Sequence, residues 1–209
     1  ANLKYLKQAI LLARKYDFVL AIDECYSEIY DTTPPPGGLE ACKALGGGYQ
    51  NVLVFHSLSK RSSAPGLRSG FVAGDQELIQ HFRTLRSYGG ALVPGPLQAA
   101  SAALWRDNKH VEKNRVLYRQ KFDFADQILT GKFNYYRPSG GFYLWLKVGD
   151  SEEATKTLWK EAGVRVIPGN YLGRTDVSGK NPGAGFIRIA LVQKPVFVKE
   201  ALLRITKTL

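Results

Sequence analysis

Residues 57–70 carry the sequence SLSKRSSAPGLRSG and lie between two short apolar stretches, Val52–Phe55 and Gly70–Ala73. Their length and apolar character predict a buried strand at Val52–Phe55 and a second short strand at Gly70–Ala73. Only about a dozen residues join them, which leaves little room for the helical crossover that a parallel connection needs. We therefore expect the two strands to be antiparallel.

Several reactive side chains are predicted to gather at one edge of this sheet. An earlier apolar stretch, Phe18–Ile22, has the pattern of a buried parallel strand and ends at Asp23. If it pairs in parallel with the strand before Lys60, Asp23 and Lys60 both lie just past the carboxyl ends of neighbouring strands, where open α/β sheets bind their ligands. An antiparallel third strand brings Arg68 to the same edge. Two hydroxyl groups would join it there, those of Ser57 and Ser59.

These residues resemble the motifs of a known family, the class I and II aminotransferases of the fold-type I pyridoxal-phosphate enzymes. The sequences SLSK at 57–60 and PGLRSG at 65–70 look like that family's cofactor-lysine signature. Upstream, DECY at 23–26 resembles its Asp-x-x-Tyr pair, and downstream FIRI at 186–189 resembles its carboxylate-binding arginine segment. Three matches in the family's order make the resemblance specific.

The resemblance implies an α/β fold and covers the whole chain. Residues 1–115 would be the C-terminal half of the large three-layer α/β/α domain of a fold-type I transferase, and residues 116–209 its small C-terminal α+β domain. A full-length member would carry a further segment before Ala1, with a glycine-rich phosphate-binding turn, an aromatic residue that stacks on the cofactor ring and an asparagine near the ring oxygen. The chain is therefore expected to be a fragment.

Apolar spacing gives a similar outline without the resemblance. Helical periodicity opens the chain, returns after Asp75, and continues from Pro96 to Leu129 as one bent helix or two. Beyond Gly131 the pattern changes to short apolar segments at 133–136, 142–148, 164–167 and 186–191, with helices near 152–162 and after Pro195. The loop at 32–48, rich in proline and glycine, leaves room for a short helix at most.

The resemblance assigns the cofactor-binding residues to the first region. Lys60 would hold pyridoxal 5'-phosphate covalently and then act as the general base, since a lysine amine becomes nucleophilic when its charge is suppressed. Asp23 would pair with the pyridine nitrogen, and Tyr26 would bond the ring oxygen. Each has an ordinary alternative: a solvated surface lysine, a helix N-cap and a half-buried aromatic residue.

The remaining assignments concern anionic groups. Ser57 and Arg68 suit the cofactor phosphate, because a guanidinium binds phosphate through two parallel hydrogen bonds. Arg188 lies between two apolar strand positions, so its side chain should face a cavity or a partner, and the resemblance assigns it to the substrate α-carboxylate. The alternative for Arg68 is a surface salt bridge, and the alternative for Ser57 is an ordinary turn serine. For Arg188 it is a structural salt bridge to Asp176 or Glu161.

Composition bears on several other classes of protein without deciding among them by charge alone. The net charge of +11 comes from scattered lysines and arginines, without the interleaved aromatic residues or zinc-finger spacing of nucleic-acid-binding proteins. No apolar run is long enough to span a membrane, and no signal segment opens the chain, which predicts a cytoplasmic protein. Cys25 and Cys42 suggest neither a disulfide framework nor a metal site.

The sequence therefore predicts transamination between a small-molecule amino acid and a 2-oxo acid. The stretch 57–74 looks most like succinyldiaminopimelate aminotransferases of bacterial lysine synthesis, which implies N-succinyl-LL-2,6-diaminopimelate as a substrate. A homodimer is also implied, with residues 88–96 as a loop that reaches the partner. The alternatives are a pyridoxal-phosphate β-lyase or related enzyme, a basic anion- or nucleic-acid-binding module, and a fragment that is inactive without its N-terminal segment.

Overall fold

The structure is a computed structural model that describes residues 1–90 and 92–209. The chain divides into two compact units, Ala1–Lys113 and Asn114–Leu209. This division and the predicted boundary after residue 115 both fall within one long helix. Within the predicted partner loop at 88–96, Ala91 lies outside the described residues.

The first unit contains a three-stranded sheet and the helices that flank it. Its strands are β1 (Leu20–Asp23), β2 (Val52–Ser57) and β3 (Gly70–Gly74), in the order β1-β2-β3. As predicted, β1 and β2 are parallel while β2 and β3 are antiparallel. Its helices are α1 (Leu3–Tyr16), α2 (Gly38–Leu45), α3 (Leu58–Arg61), α4 (Gln76–Gly89), α5 (Gly95–Arg106) and the start of α6 (Lys109–Leu129).

Helices pack on both faces of this sheet because β2 is apolar on both. Val52 and Val54 form a core cluster with Leu6 and Ile10 of α1 and with residues of α2. On the opposite face, the Phe55 ring meets the Phe82 ring of α4 edge-on, with 6.4 Å between centroids. The predicted three-layer arrangement of the first region is therefore present around β2.

The expectation that β1 is buried on both faces is wrong. In the described part of the sheet β1 is an edge strand, and its residues alternate between half-buried and exposed. The strand is also shorter than predicted, since Phe18 and Val19 precede it and are about half exposed. β2, which has a neighbour on each side, is the buried strand of this unit.

The second unit is a two-layer α+β arrangement. Its antiparallel sheet has the order β4-β6-β5, formed by β4 (Tyr143–Lys147), β5 (Ile167–Pro168) and β6 (Phe186–Ala190). Alternate residues of β4 and β6 are buried against α6, α7 (Ser151–Ala162) and α8 (Pro195–Thr208), and this core includes Phe122, Leu144, Leu158, Ile187 and Leu202. The other sheet face carries half-buried aromatic side chains and Arg188.

Two details of this unit differ from the sequence pattern. The apolar segment 133–136 is not a strand, because Phe133 and Asn134 adopt left-handed backbone conformations with φ of 52° and 51°. The segment 164–167 contributes only its last residue to β5. None of the helices in residues 1–90 and 92–209 is both long and apolar enough to cross a lipid bilayer.

Candidate active site

Asp23 ends β1 at the carboxyl edge of the first sheet, opposite Phe55 of β2. Its Oδ1 accepts the backbone N–H of Cys25 at 3.0 Å. No helix begins at this point in the described chain, so the alternative of a helix N-cap does not apply. Hydrogen bonds from Cys25, first from the side chain and then from the backbone, lower the pKa of the Asp23 carboxyl below its ordinary value of 3.8. The group is therefore an anion at neutral pH.

Lys60 lies near the turn that follows Asp23. It is half-buried in α3, directly after β2, and its Nζ is 5.9 Å from the centroid of the Tyr26 ring. That ring is 38% exposed, so it can still meet another molecule. The parallel pairing of β1 and β2 thus brings a carboxylate, a phenol and an amine to one sheet edge, as the sequence predicted.

Cys25 lies in the chain between Asp23 and Tyr26, two of the cofactor-binding candidates. Burial has the largest effect on its thiol, followed by the hydrogen bond and negative charge of Asp23, and together they raise its pKa to about 11. The positive charge of Lys60 acts on the thiol in the opposite direction. A thiol with such a pKa stays protonated at neutral pH and is a poor nucleophile. The Cys25 backbone N–H donates to Asp23 Oδ1, and the protonated Sγ lies 4.0 Å from the Phe55 carbonyl oxygen.

Ser57 marks the boundary between β2 and α3. Its Oγ accepts the backbone N–H of Ser59 at 3.1 Å and donates to the Ser59 hydroxyl at 2.9 Å. The carbonyl of Ser69 accepts the N–H of Leu58 at 3.1 Å, which holds the start of α3 beside the chain that leads into β3. The hydroxyl groups of Ser57 and Ser59, which the sequence predicted at this sheet edge, are therefore hydrogen-bonded to each other.

Arg68 directly precedes Ser69 in the chain. Its backbone is left-handed, with φ of 49°, and its side chain is exposed. One guanidinium nitrogen, Nη1, donates to the carbonyl of Pro65 at 2.9 Å. The residue therefore lies next to the strand edge in sequence and in space, and it is held by a local turn. The surface salt bridge that was the alternative role for Arg68 is not among its described contacts.

Arg188 belongs to the second unit and lies in the middle of β6. It is opposite Trp145 of β4 on one side and Ile167 of β5 on the other. Its Cζ is 4.7 Å from the centroid of the Tyr143 ring, and its Nε is buried with no hydrogen-bond partner in the described chain. Buried donors without partners are costly, so this nitrogen is suited to an acceptor from outside the unit.

A cavity of about 260 Å³ adjoins this arginine. Its lining includes Tyr136, Tyr143, Trp145 and Arg188. A larger, mainly apolar cavity of about 680 Å³ lies against β6 and α8, and Arg188 lines it as well. Asp176, which the sequence offered as a salt-bridge partner, instead accepts hydrogen bonds from Ser178 and Lys180 within its own turn.

Sequence reasoning did not identify the pair formed by Glu24 and His56. His56 Nε2 lies 3.0 Å from Glu24 Oε2, and Glu24 Oε1 accepts the N–H of Gly38. The pair joins the residue after Asp23 to the residue before Ser57, so it links the ends of the two parallel strands. A glutamate and a histidine separated by 32 positions form no local motif; only their adjacency to the two signature segments could have indicated the contact.

The fold is that of the fold-type I pyridoxal-phosphate transferases. The chain belongs to the class I and II aminotransferase family, whose model matches residues 1–205. The cofactor of this family is pyridoxal phosphate.

Three similar proteins illustrate the match. The 4-dedimethylamino-4-oxo-anhydrotetracycline transaminase OxyQ of Streptomyces rimosus is 32% identical over 202 residues, or 96% of this chain and 54% of that protein. An aminotransferase structure from Neisseria meningitidis is 46% identical, with a TM-score of 0.92 over 99% of this chain and 53% of that one. A probable N-succinyldiaminopimelate aminotransferase from Thermus thermophilus is 28% identical, with a TM-score of 0.84 over 100% and 55%. The chain spans about half the length of the curated relatives it matches.

The residues at the first sheet edge fit the family's cofactor by their chemistry. An ionised carboxylate suits a protonated pyridine nitrogen, a phenol suits the ring oxygen, and a lysine amine suits the aldehyde. A guanidinium and hydroxyl groups suit a phosphate. Asp23, Tyr26 and Lys60 are grouped by the contacts described above, while Ser57 caps the start of α3 and Arg68 ends a separate 3-10 turn, Pro65–Leu67, just before β3.

Proposed function

We propose that the protein is a pyridoxal-phosphate-dependent aminotransferase that moves an amino group between an amino acid and a 2-oxo acid. The supporting observation is the grouping of Asp23, Tyr26 and Lys60 at the carboxyl edge of β1 and β2, with Lys60 Nζ 5.9 Å from the Tyr26 ring. Membership of the aminotransferase family supports the same reaction.

Each residue at the edge has a defined task in this proposal. When bound, pyridoxal phosphate supplies an electron sink for the electron pair left on the substrate α-carbon. Asp23, kept ionised by hydrogen bonds from Cys25, would pair with the protonated pyridine nitrogen. Lys60 would hold the cofactor through Nζ and, once its amine is free, would accept the proton that leaves the substrate α-carbon. Tyr26 would donate its phenol hydrogen to the ring oxygen.

Anionic groups are bound by the arginines in this proposal. Arg68 and Ser57 bind the cofactor phosphate by charge and hydrogen bonding. Arg188 binds the substrate α-carboxylate, which would satisfy the buried Nε and place the carboxylate against the 260 Å³ cavity beside Tyr143. A carboxylate can accept two parallel hydrogen bonds from one guanidinium, and this orients the α-carbon as well as binding it.

We further propose N-succinyl-LL-2,6-diaminopimelate as the amino-acid substrate. The support is the sequence of residues 57–74 and the similarity to the Thermus thermophilus protein, a probable N-succinyldiaminopimelate aminotransferase. A panel of amino donors tested with 2-oxoglutarate would check it. A higher kcat/KM for aspartate or another simple amino acid than for the succinylated donor would overturn this substrate.

Cofactor trapping tests the class of reaction. The full-length protein is mixed with pyridoxal phosphate, reduced with borohydride, and digested for peptide mass spectrometry. We expect a single label, on Lys60; labelling elsewhere, or none, would contradict the proposal. Product analysis then separates transamination, which returns a 2-oxo acid and a new amino acid, from β-lyase chemistry, which releases ammonia and pyruvate from a substrate with a β-leaving group.

A homodimer is also proposed, on the basis of the family resemblance. Sedimentation equilibrium of the full-length protein would measure its mass directly. A mass equal to one chain across the accessible concentration range would contradict the dimer. The cytoplasmic location stays a prediction from the sequence.

A further inference from the structure

The helix that carries Lys60 is too short to fix its own orientation. α3 has 4 residues, a single turn. A turn of this length makes almost no internal hydrogen bonds, so helices this short depend on tertiary contacts. Leu58, fully buried, holds the start of α3, which leaves open what holds the end that follows Lys60.

Arg61, the residue after Lys60, makes the contacts that hold this end. Its side chain is 4% exposed, which is rare for an arginine. Nε lies 3.2 Å from Glu28 Oε1, Nη1 donates to the carbonyl of Leu104 at 2.8 Å, and Nη2 donates to Asn108 Oδ1 at 2.6 Å. One guanidinium therefore joins α3 to the turn after β1 and to the junction of α5 and α6.

An aromatic contact supports the same guanidinium. Arg61 Cζ is 5.0 Å from the centroid of the Trp105 ring. Trp105 in turn meets Phe71 of β3 edge-on at 5.0 Å, and Phe71 stacks on His56 of β2 at 4.8 Å. The ring against the guanidinium is thus packed on the sheet that supports the proposed active site.

The next residue, Ser62, is joined to the same helix junction. His110 Nε2 is 2.8 Å from Ser62 Oγ, and His110 Nδ1 is 2.8 Å from Asp107 Oδ2. The order serine, histidine, carboxylate is that of a hydrolytic triad. However, the Ser62 N–H donates to the Leu58 carbonyl at 3.0 Å and so cannot stabilise an oxyanion. We interpret the group as a second attachment of α3.

We propose that Arg61 is the positioning residue for Lys60: it fixes α3 against the turn after β1 and the α5–α6 junction, so that the Lys60 amine is held at the cofactor edge. This inference rests on the function proposed above. Burial of an arginine brings little net stability by itself, whereas a planar group with three differently directed donors fixes geometry. Lysine would keep the charge and lose the fork of donors.

The test uses the full-length protein with variants Arg61→Met and Arg61→Lys, and Arg83→Met on the exposed surface of α4 as the matched control. The first readout is the rate of borohydride-trapped labelling of Lys60 by pyridoxal phosphate, followed by peptide mass spectrometry. The second is the separation of kcat from KM. We expect Arg61→Met to lower the labelling rate and to lower kcat by about 100-fold with KM little changed, because small misplacements of a reacting group have effects of this size. Arg61→Lys should recover part of both, and Arg83→Met should match the wild type.

A second variant covers the case in which Arg61→Met does not fold. Asn108→Ala removes one attachment and leaves the guanidinium in place, and a smaller decrease in both readouts is expected. If the variants only lower the unfolding temperature, with labelling rate and kcat at wild-type values, Arg61 is merely structural and the inference is overturned. Absence of Lys60 labelling in the wild type would instead overturn the proposed function, so the two failures are distinguishable.

Discussion

The two sheets present their candidate functional groups in different ways. In the first unit Asp23 is the last residue of β1 and Lys60 lies just past the end of β2, and their side chains are exposed or half-buried. In the second unit Arg188 lies within a strand, between Trp145 and Ile167 of its two neighbours. A residue inside a ladder has its backbone fixed on both sides, whereas a residue past a strand end depends on side-chain contacts to hold it.

The contacts that hold the two sheets also differ in their balance. Around the first sheet edge, the ion pair of Glu24 and His56 and the bonds of Arg61 join separate chain segments. The second unit also has such contacts, among them that of Lys121 with the Leu191 carbonyl, but it has the larger apolar core, under β4 and β6. Substitutions near the first edge should therefore alter activity more than stability, and substitutions in the second core should do the reverse.

The largest effect is expected at Lys60. Lys60→Ala removes the amine proposed to hold the cofactor and carry the proton, so kcat for transamination should fall by about 10⁴-fold or more. The urea midpoint of unfolding should change little, because the side chain is half-buried and outside both core clusters. Lys43→Ala, on the exposed surface of α2, is the control for both measurements. If Lys60→Ala lowered the urea midpoint markedly as well as kcat, the contrast between the two units would be contradicted.

The core of the second unit should show the opposite response. Leu202→Ala deletes a fully buried side chain from α8, and the cavity should lower the free energy of unfolding by about 2–5 kcal/mol. The adjacent Leu203→Ala is the control, since Leu203 is 41% exposed and should cost much less. Equilibrium urea unfolding measures both. Equal effects of the two substitutions would show that this core does not dominate the stability of the unit.

A substitution of Arg188 tests the role of a side chain within a strand, here in binding the substrate carboxylate. Arg188→Lys keeps the charge and loses the two-pronged geometry, so kcat/KM for the amino acid should fall by about 10–100-fold, the value of a lost charge-assisted hydrogen bond. Steady-state kinetics with Arg174→Lys, an exposed arginine of the same unit, as control would measure it. An unchanged kcat/KM would place the substrate carboxylate elsewhere.

The smallest effect concerns a helix cap in the first unit. Asp75 Oδ1 accepts the N–H groups of Glu77 and Leu78 at the start of α4, and Oδ2 accepts that of Asn51 at 2.8 Å. Asp75→Ala should lower the free energy of unfolding by about 1 kcal/mol, while Asp75→Asn, which keeps one acceptor, should lower it less. Urea unfolding would measure the order of the three proteins. An alanine variant as stable as the asparagine variant would contradict the cap.

The same aspartate gives a pH dependence with a defined sign. Burial raises the pKa of the Asp75 carboxyl. The hydrogen bonds that it accepts from the backbone N–H groups of Asn51, Leu78 and Glu77 lower that pKa by more, so the net pKa lies below 3.8. The folded pKa is thus below the unfolded one, so the contribution of Asp75 to stability is complete above pH 3.8 and is lost as the pH falls through the folded pKa. Comparing acid unfolding of the wild type and Asp75→Asn would show a smaller acid destabilisation in the variant.

Much of the first unit could be predicted because its signals are local. A short connection between β2 and β3 required antiparallel strands, and the unbroken apolar run of Val52, Leu53, Val54 and Phe55 predicted a strand covered on both faces. The predicted burial of β1 was wrong for the described residues, in which the strand has a neighbour on one side only, because the surrounding sheet sets how far a strand is buried. In the second unit, left-handed backbone angles at Phe133 and Asn134 prevented the strand that the apolar pattern suggested.

The sequence by itself determined the family, most of the order of the elements and the identity of the residues proposed to meet the cofactor, since these follow from motifs and short-range periodicity. Only the tertiary structure decided which residues hold them. Arg61 reaches Glu28, Leu104 and Asn108, which are 33, 43 and 47 positions away, and Glu24 reaches His56. The physical reason is that hydrogen bonds and ion pairs depend on distance in space, which the order of residues along the chain does not give until the strands and helices have packed.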